Sequence, residues 1–592
     1  MKLVLLSILF LSVLAKPVSA QFYLRGEIKD EKGNVLPNVK INLYSKNAYS
    51  FSYKSGSAGT FGIPTNLEVD TIILSLLGYE PLKKAVNVRQ YQSFVLKMLS
   101  TNPNKIKNGL CSKTKQFFSE QYNLLSSNGE SYSSLVENDF FNTSKYPETG
   151  FTLNIDRASY SNIRRFLNNG IKAPTNAVRI EEMLNYFDYK FDNNNAQDAK
   201  NKFAIHHYLT TCPWNNKSNL LFLHIKAPKL NLDTLPPSNL VFLIDVSGSM
   251  DKPNRLPLLQ ASFKKLVDNL RDIDYVTIVI YGGGVAKVLD ATNGSEKEVI
   301  KNVIDSLSAS GDTPGEAAIQ TAYAAAAKTF IPGGNNRVIL ATDGDFNVGV
   351  TSEKALQELI TRYTQSGIYL TCLGVGMGNY KDSKLEILSK SGKGNFAYID
   401  NLYEAEKVLV TEFTKTMYAV ANDATLNISF NANNIKEYRL IGFDNRVAAI
   451  VDKNSELEGG EVGSAHSMIA IFELKGLENN MDSSINIGNI ELQYKLVDNN
   501  HIILNQNLAI QNTITLFNNA LPSIKFATSV AMFGSLLKQS KYANDYDFID
   551  IYKIASSAIS ANDYAKQEFI RLLQTAEKLY NPKKKWQIKN NR

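Results

Sequence analysis

Between residues 238 and 418, short apolar runs alternate with amphipathic stretches, and this alternation limits the fold more than any other feature of the chain. Residues 240–244 and 338–341 are apolar without a break. A strand with one wet face would alternate polar and apolar side chains. An unbroken run suits a parallel strand covered by helices on both faces. Further strands are expected at 275–281, 368–375 and 396–399. Amphipathic helices are expected at 255–270, 296–307, 314–330, 353–365 and 403–417. Strands alternating with helices of this length predict a doubly wound, Rossmann-like α/β sheet.

In such sheets ligands bind beyond the carboxyl ends of the strands, near a topological switch point. The loop Asp245-Val246-Ser247-Gly248-Ser249 directly follows the first apolar run. Its alternate positions offer three oxygen donors to one side. Gly248 permits the tight turn. Asp343 follows the second apolar run in the same way, within Ala341-Thr342-Asp343-Gly344-Asp345. Thr313, in Gly311-Asp312-Thr313-Pro314, opens an alanine-rich helix and can bring a hydroxyl to the same rim. The candidate metal ligands are therefore Asp245, Ser247, Ser249, Thr313 and Asp343. Two carboxylates and three hydroxyls form a hard site without His or Cys, which disfavours zinc and copper. Mg²⁺ fits best, with Mn²⁺ or Ca²⁺ as substitutes. Five ligands leave one octahedral position, for which a partner's carboxylate is the natural occupant. Asp251, Asp312 and Asp345 would widen the acidic rim, but each reads more simply as a solvated loop residue.

This set resembles the metal-ion-dependent adhesion site of von Willebrand factor type A domains. The resemblance implies that all five residues hold a divalent ion and that the domain binds an acidic residue of a protein partner. It extends further. Ser159-Tyr160, Arg164-Arg165-Phe166-Leu167 and the run from Val178-Arg179 through Tyr186-Phe187 resemble the segment preceding the type A domain in one bacterial family. Residues 424–580 resemble the same family's C-terminal region of unknown function. Near the N-terminus, Gly26-Glu27-Ile28, Gly33, Leu36-Pro37-Asn38-Val39, Gly59 with Phe61, and Leu77-Gly78-Tyr79 resemble the carboxypeptidase-regulatory-like (transthyretin-like) domain, a non-catalytic module.

The remaining chain divides by pattern. Residues 1–20 carry Lys2, an apolar run over 4–14 and Val18-Ser19-Ala20, as in a cleaved secretory signal. Residues 21–99 read as an all-β sandwich, with runs at 24–28, 39–44, 71–77 and 93–99. Residues 100–145 read as a linker with a helix near 114–125, and 146–200 as a helical unit. Residues 202–230 and 424–512 are strand-rich. Each is too small or interrupted to bury a face alone, so together they are expected to form one β-sandwich in which the α/β domain is inserted. Residues 521–580 read as helical.

Composition narrows the function. The net charge of +7 is mild for 592 residues, and the one dense basic run is Lys583-Lys584-Lys585. No nucleic-acid ligand is expected. No segment after the signal is apolar enough to span a membrane. Three cysteines, Cys111, Cys212 and Cys372, define no disulfide framework. Gly374-Val375-Gly376-Met377-Gly378 follows a strand but lacks the spacing of a dinucleotide loop. Gly282-Gly283-Gly284 reads as a turn. No Walker loop, nucleophile elbow or Ser/His/Asp arrangement is visible. A general base is missing beside the candidate ion, so no enzyme is expected. The reading is an exported, metal-dependent binding or adhesion module of the periplasm or cell surface, compatible with an envelope complex. The alternative is a non-catalytic envelope scaffold with a structural metal.

Overall fold

The computed structural model describes residues 22–31, 33–44, 52–65, 69–76, 79–97, 125–127, 130–133, 135–189, 191, 203–231, 235–311, 315–344, 353–378, 380–446, 461–477, 485–497, 499–560 and 562–581. The chain forms two compact units, 1–99 and 100–592.

In the first unit, Phe22–Asp30 pairs antiparallel with Thr60–Thr65 and parallel with Gln92–Leu96. A second sheet runs Ser52–Lys54, Lys40–Tyr44, Val69–Ser75, Leu82–Asn87. Alternate residues Leu24 and Ile28 of the first sheet meet Ile41, Ile72 and Leu74 of the second in one core. The strands at 52–54, 60–65 and 82–87 were not expected. Leu82–Asn87 carries two lysines and is mostly exposed, so it gives no apolar signal.

The second unit is built around a six-stranded sheet. Its order is Val285–Asn293, Tyr275–Tyr281, Ser238–Asp245, Asn335–Thr342, Ile368–Gly374, Phe396–Tyr398. All neighbours are parallel except Val285–Asn293, which runs antiparallel along the edge. The unbroken apolar runs are explained residue by residue. Leu240, Phe242 and Ile244 pack against Leu259 and Phe263 on one face. Val241 and Leu243 pack against Ala318, Ile319 and Ala322 on the other. Successive strand side chains point to opposite faces, so a strand with helices on both sides needs every position apolar.

The expected insertion is present. Ser218–Lys226 pairs antiparallel with Ser467–Lys475 along its whole length. These strands belong to a six-stranded sheet, which packs on a second sheet containing Glu148–Thr152, Ala419–Phe430, Asn486–Leu496 and Asn499–Gln511. The α/β domain therefore leaves and re-enters one β-sandwich. Ser218–Lys226 is itself apolar on both sides although antiparallel. Leu221, Leu223 and Ile225 enter the sandwich core, while Leu220 and Phe222 face a helical layer. That layer joins Ala158–Asn168 and Ile180–Asn185 to Pro522–Leu537, Phe548–Ser556 and Tyr564–Tyr580. The N-terminal and C-terminal helical regions thus share one core.

Two expectations need correction. Residues 130–142 are not linker: Tyr132, Leu135 and Val136 are buried, and Asn138 Nδ2 donates to the Gly442 carbonyl at 2.8 Å. Strands of two or three residues are too short to carry a visible periodicity. The unit at 146–200 also begins with a strand, Glu148–Thr152, paired to Ala419–Phe430. The expected helix at 114–125 and the signal at 1–20 lie outside the described residues, apart from Leu125, which opens the strand Leu125–Ser127.

The helical layer is locked to the α/β domain by buried arginines. Arg164 pairs with Asp400, with Glu404 at 2.8 Å and with Glu568 at 2.8 Å. Arg165 holds Glu130 at 2.7 and 2.8 Å. Arg179 pairs with Glu182 at 2.5 Å and Asp382 at 2.7 Å. Burial lifts the Asp382 and Asp400 carboxyls to about 6 even beside their arginines.

Candidate metal centre

Asp245 is the last residue of Ser238–Asp245, and Asp343 immediately follows Asn335–Thr342, the adjacent parallel strand. The chain leaves Ser238–Asp245 toward Tyr275–Tyr281 on one side, with Asn335–Thr342 on the other. This is the topological switch point, where both loops open at the carboxyl end of the sheet.

The expected ligands that are described come together. Asp245 Oδ1 accepts from the Ser247 backbone N–H at 2.9 Å, and its Oδ2 accepts from Thr342 Oγ1 at 2.7 Å. Ser247 Oγ lies 3.2 Å from Ser249 Oγ, and Ser249 Oγ donates to Asp343 Oδ2 at 2.9 Å. Asp245, Ser247 and Asp343 are buried, whereas Ser249 is exposed at the mouth. Burial raises the Asp245 carboxyl above its ordinary range, although its Ser247 and Thr342 hydrogen bonds pull the other way. Burial disfavours the charged carboxylate, and a nearby cation would offset that penalty. The donor set is all oxygen and fits a hard divalent ion.

Thr313, Asp312 and Asp345 lie outside the described residues. The loop leading to Thr313 nevertheless reaches the site. Ser310 N–H donates to the Val246 carbonyl at 2.7 Å, and Gly248 N–H to the Gly311 carbonyl at 3.0 Å. The expected turn at Gly282–Gly284 packs between them. A Cβ on Gly282 would lie 2.6 Å from the Val246 carbonyl oxygen, so only glycine lets these loops close. Asp251 is exposed, as expected of a loop residue.

Sequence reasoning missed Arg255. This buried side chain donates from Nη1 to Asp343 Oδ2 at 2.5 Å and to the Ser249 carbonyl at 2.6 Å. Its Nη2 donates to the Met377 carbonyl at 2.8 Å. The loop through Met377 is held in turn by Glu130, which accepts from Gly378 N–H at 2.8 Å. Gly376 has a φ of +77°, and a Cβ there would sit 2.5 Å from Arg255 Nε. Gly376 therefore makes room for an arginine, and a Cβ on Gly374 would meet Tyr380. One signal was available: an arginine beginning a helix opposes the helix dipole, which favours acids there.

A separate acidic group, Asp156, Glu182 and Glu386, is buried elsewhere in the second unit. It has its own cations: Arg179 pairs with Glu182 at 2.5 Å, and Lys390 with Glu386 at 2.7 Å.

Comparison with known proteins places this geometry. The family model described as von Willebrand factor type A domain matches residues 239–412. The model described as von Willebrand factor matches 126–222, and the one described as Uncharacterized protein YfbK, C-terminal, matches 415–579. Uncharacterized protein YfbK of Escherichia coli (strain K12) is 35% identical over 468 residues, which are 75% of this chain and 81% of that protein. The chain belongs to the YfbK family of von Willebrand factor type A domain proteins. The human inter-alpha-trypsin inhibitor heavy chain H2 is 26% identical over 222 residues, 36% of this chain. The chain spans about a fifth of that relative, 22% of its length. Among solved structures, a von Willebrand factor type A protein from Catenulispora acidiphila is 15% identical, with a TM-score of 0.37, over 63% of this chain and 89% of that one. The ArnB paralog VWA2 from Sulfolobus acidocaldarius is 14% identical, with a TM-score of 0.31, over 64% of this chain and 98% of that one. Likenesses this distant carry no argument about function. The family assignment does carry a coarser statement. Type A domains are protein-interaction modules that commonly bind a divalent metal, and no described helix is long and apolar enough to cross a membrane.

Proposed function

We propose that this member of the YfbK family is a metal-dependent protein-binding module. Asp245, Ser247, Ser249, Thr313 and Asp343 would hold Mg²⁺, with Mn²⁺ or Ca²⁺ as substitutes, and the ion would accept an exposed Asp or Glu of a partner. The observation that carries the reading is the continuous set Ser247–Ser249–Asp343 beside buried Asp245 at the switch point. Ser249 is exposed, so a partner's side chain has an approach. Asp245 and Thr342 hold each other, Ser249 faces outward, and Arg255 balances Asp343. None of these groups is a free base for activating water, which favours binding over catalysis.

The experiment is thermal unfolding of the full chain and of Asp245→Ala, with EDTA, Mg²⁺ or Mn²⁺. An ion at a hundredfold excess over its dissociation constant stabilises the folded state by about 2.7 kcal/mol. The wild type should shift with metal and the variant should not. An acidic peptide then serves as probe: its binding should need both metal and Asp245. Metal-dependent stability without metal-dependent peptide binding would favour the scaffold with a structural ion.

We further propose that residues 1–20 export the chain to the periplasm or cell surface, and that residues 21–99 are a carboxypeptidase-regulatory-like module. Fractionation of cells making the chain with and without residues 1–20 tests the export. Retention of both forms in the cytoplasm would sink it.

A further inference from the structure

Away from the candidate metal centre, a cleft with about 550 Å³ of free space, counting the solvent at its mouth, opens where three parts of the second unit join. Asp156 and Arg157 come from the segment before Ala158–Asn168. Lys407, Glu412 and Lys415 come from the end of the α/β domain. His466 comes from the loop before Ser467–Lys475 of the sandwich.

The charges in this cleft do not balance. Arg157 pairs with Glu412 at 2.7 Å, Lys407 with the same carboxylate at 3.2 Å, and Lys415 with it at 3.8 Å. One carboxylate thus serves three cations. Asp156 contributes a second negative charge, but its Oδ1 is already used by the Phe396 backbone N–H at 3.0 Å. The lining keeps a net positive charge. Arg157 is mostly buried, 15% exposed in its side chain, and Glu412 is its only ion-pair partner among the described residues. A guanidinium has five N–H donors, and Arg157 is one of the residues lining the cleft. Lys415 is 25% exposed, and its one ion-pair partner among the described residues is Glu412, at the long end of ion-pair range. His466 is held neutral. Burial and the charge of Arg157 push it down to about 3, against the pull of Glu412. Its Nε2 is shut off from solvent with no hydrogen-bond partner among the described residues.

Donors on a mostly buried arginine and a partly exposed lysine, in a cleft of surplus positive charge, are what a small oxyanion needs. We propose that this cleft binds a small oxyanion, a phosphate or a carboxylate group, between Arg157 and Lys415. The ligand would touch the segment before Ala158–Asn168 and the end of the α/β domain, so binding would tie those two parts together.

The test uses the full chain at constant ionic strength. Inorganic phosphate, acetate and sodium chloride are titrated separately by isothermal calorimetry, with thermal unfolding alongside. Saturable binding of phosphate or acetate is expected, and which of them saturates names the source of the oxyanion. Lys415→Gln, at a partly exposed position, should weaken that binding at least tenfold while the protein stays folded by circular dichroism. Arg157→Gln should weaken it further, and Asp245→Ala should leave it unchanged because the metal centre is elsewhere. No saturation beyond the chloride response would overturn the proposal, and so would equal affinity in Lys415→Gln.

Discussion

Replacing Arg255 by methionine keeps the apolar stem and removes the charge beside Asp343. Asp343 is 1% exposed and its Oδ2 is bonded by Arg255 Nη1 at 2.5 Å. Removing one partner of a buried ion pair costs about 3–5 kcal/mol, because the other charge is left uncompensated. With a chelator present, Arg255→Met should therefore be destabilised by that amount in urea unfolding. A divalent ion at the proposed centre would act in the opposite direction. If the proposed ion sits there, it would compete with a guanidinium for Asp343 in the wild type, and that competitor would be gone in the variant. If that competition is worth only about 1.4 kcal/mol, the variant binds Mg²⁺ about ten times more tightly. Saturating Mg²⁺ should then narrow the stability gap between the two proteins. Calorimetric Mg²⁺ titrations of both, with unfolding curves in EDTA and in Mg²⁺, read both quantities. Equal or weaker Mg²⁺ binding by Arg255→Met, or a gap that metal leaves unchanged, would refute the argument that Arg255 stands against the ion.

Four further outcomes are expected. Arg164→Met should cost about 3–5 kcal/mol in urea unfolding, since Asp400, Glu404 and Glu568 lose a shared cation. Lys287→Ala, in an exposed pair with Asp290, should cost under about 1 kcal/mol, and equal losses would undo the distinction. Phe222→Ala should cost about 3–5 kcal/mol by chevron or equilibrium unfolding, because Phe222 fills the layer between sheet and helices; a loss below about 1 kcal/mol would mean that layer is loose. His224 is pushed by burial down to about 4, from about 6.5 in an unfolded chain. The unfolded state then binds more protons, so this histidine's contribution is full above pH 6.5 and is lost as pH falls toward 4, at up to about 1.4 kcal/mol per pH unit. Subtracting the stability-versus-pH curve of His224→Gln from that of the wild type should leave this slope, and a flat difference would contradict it.

The relation of sequence to structure differs from element to element. The doubly wound sheet was legible because an apolar run needs only its own neighbours to declare a strand buried on both faces. The loop from Asp245 to Ser249 was legible for the same local reason, as was Asp343 after the next apolar run. The insertion of the α/β domain followed from two strand-rich pieces that could not each bury a face. Residues 130–142 gave no such signal, since their burial depends on strands about three hundred residues later, where Asn138 meets Gly442. Arg164, Arg165 and Arg179 could be quoted as a resemblance but not explained. Their carboxylate partners lie as far as Glu568 in the chain.

By itself, then, the sequence determined the elements and the oxygen-donor character of the centre, because periodicity and loop chemistry are short-range. Tertiary structure alone decided that Ser218–Lys226 is covered on both faces, that Arg255 reaches Asp343, and that three cations gather on Glu412. Those are pairings between side chains distant along the chain. Charge and hydrogen bonding act through space, and a linear sequence records which groups exist but not which of them folding brings within reach.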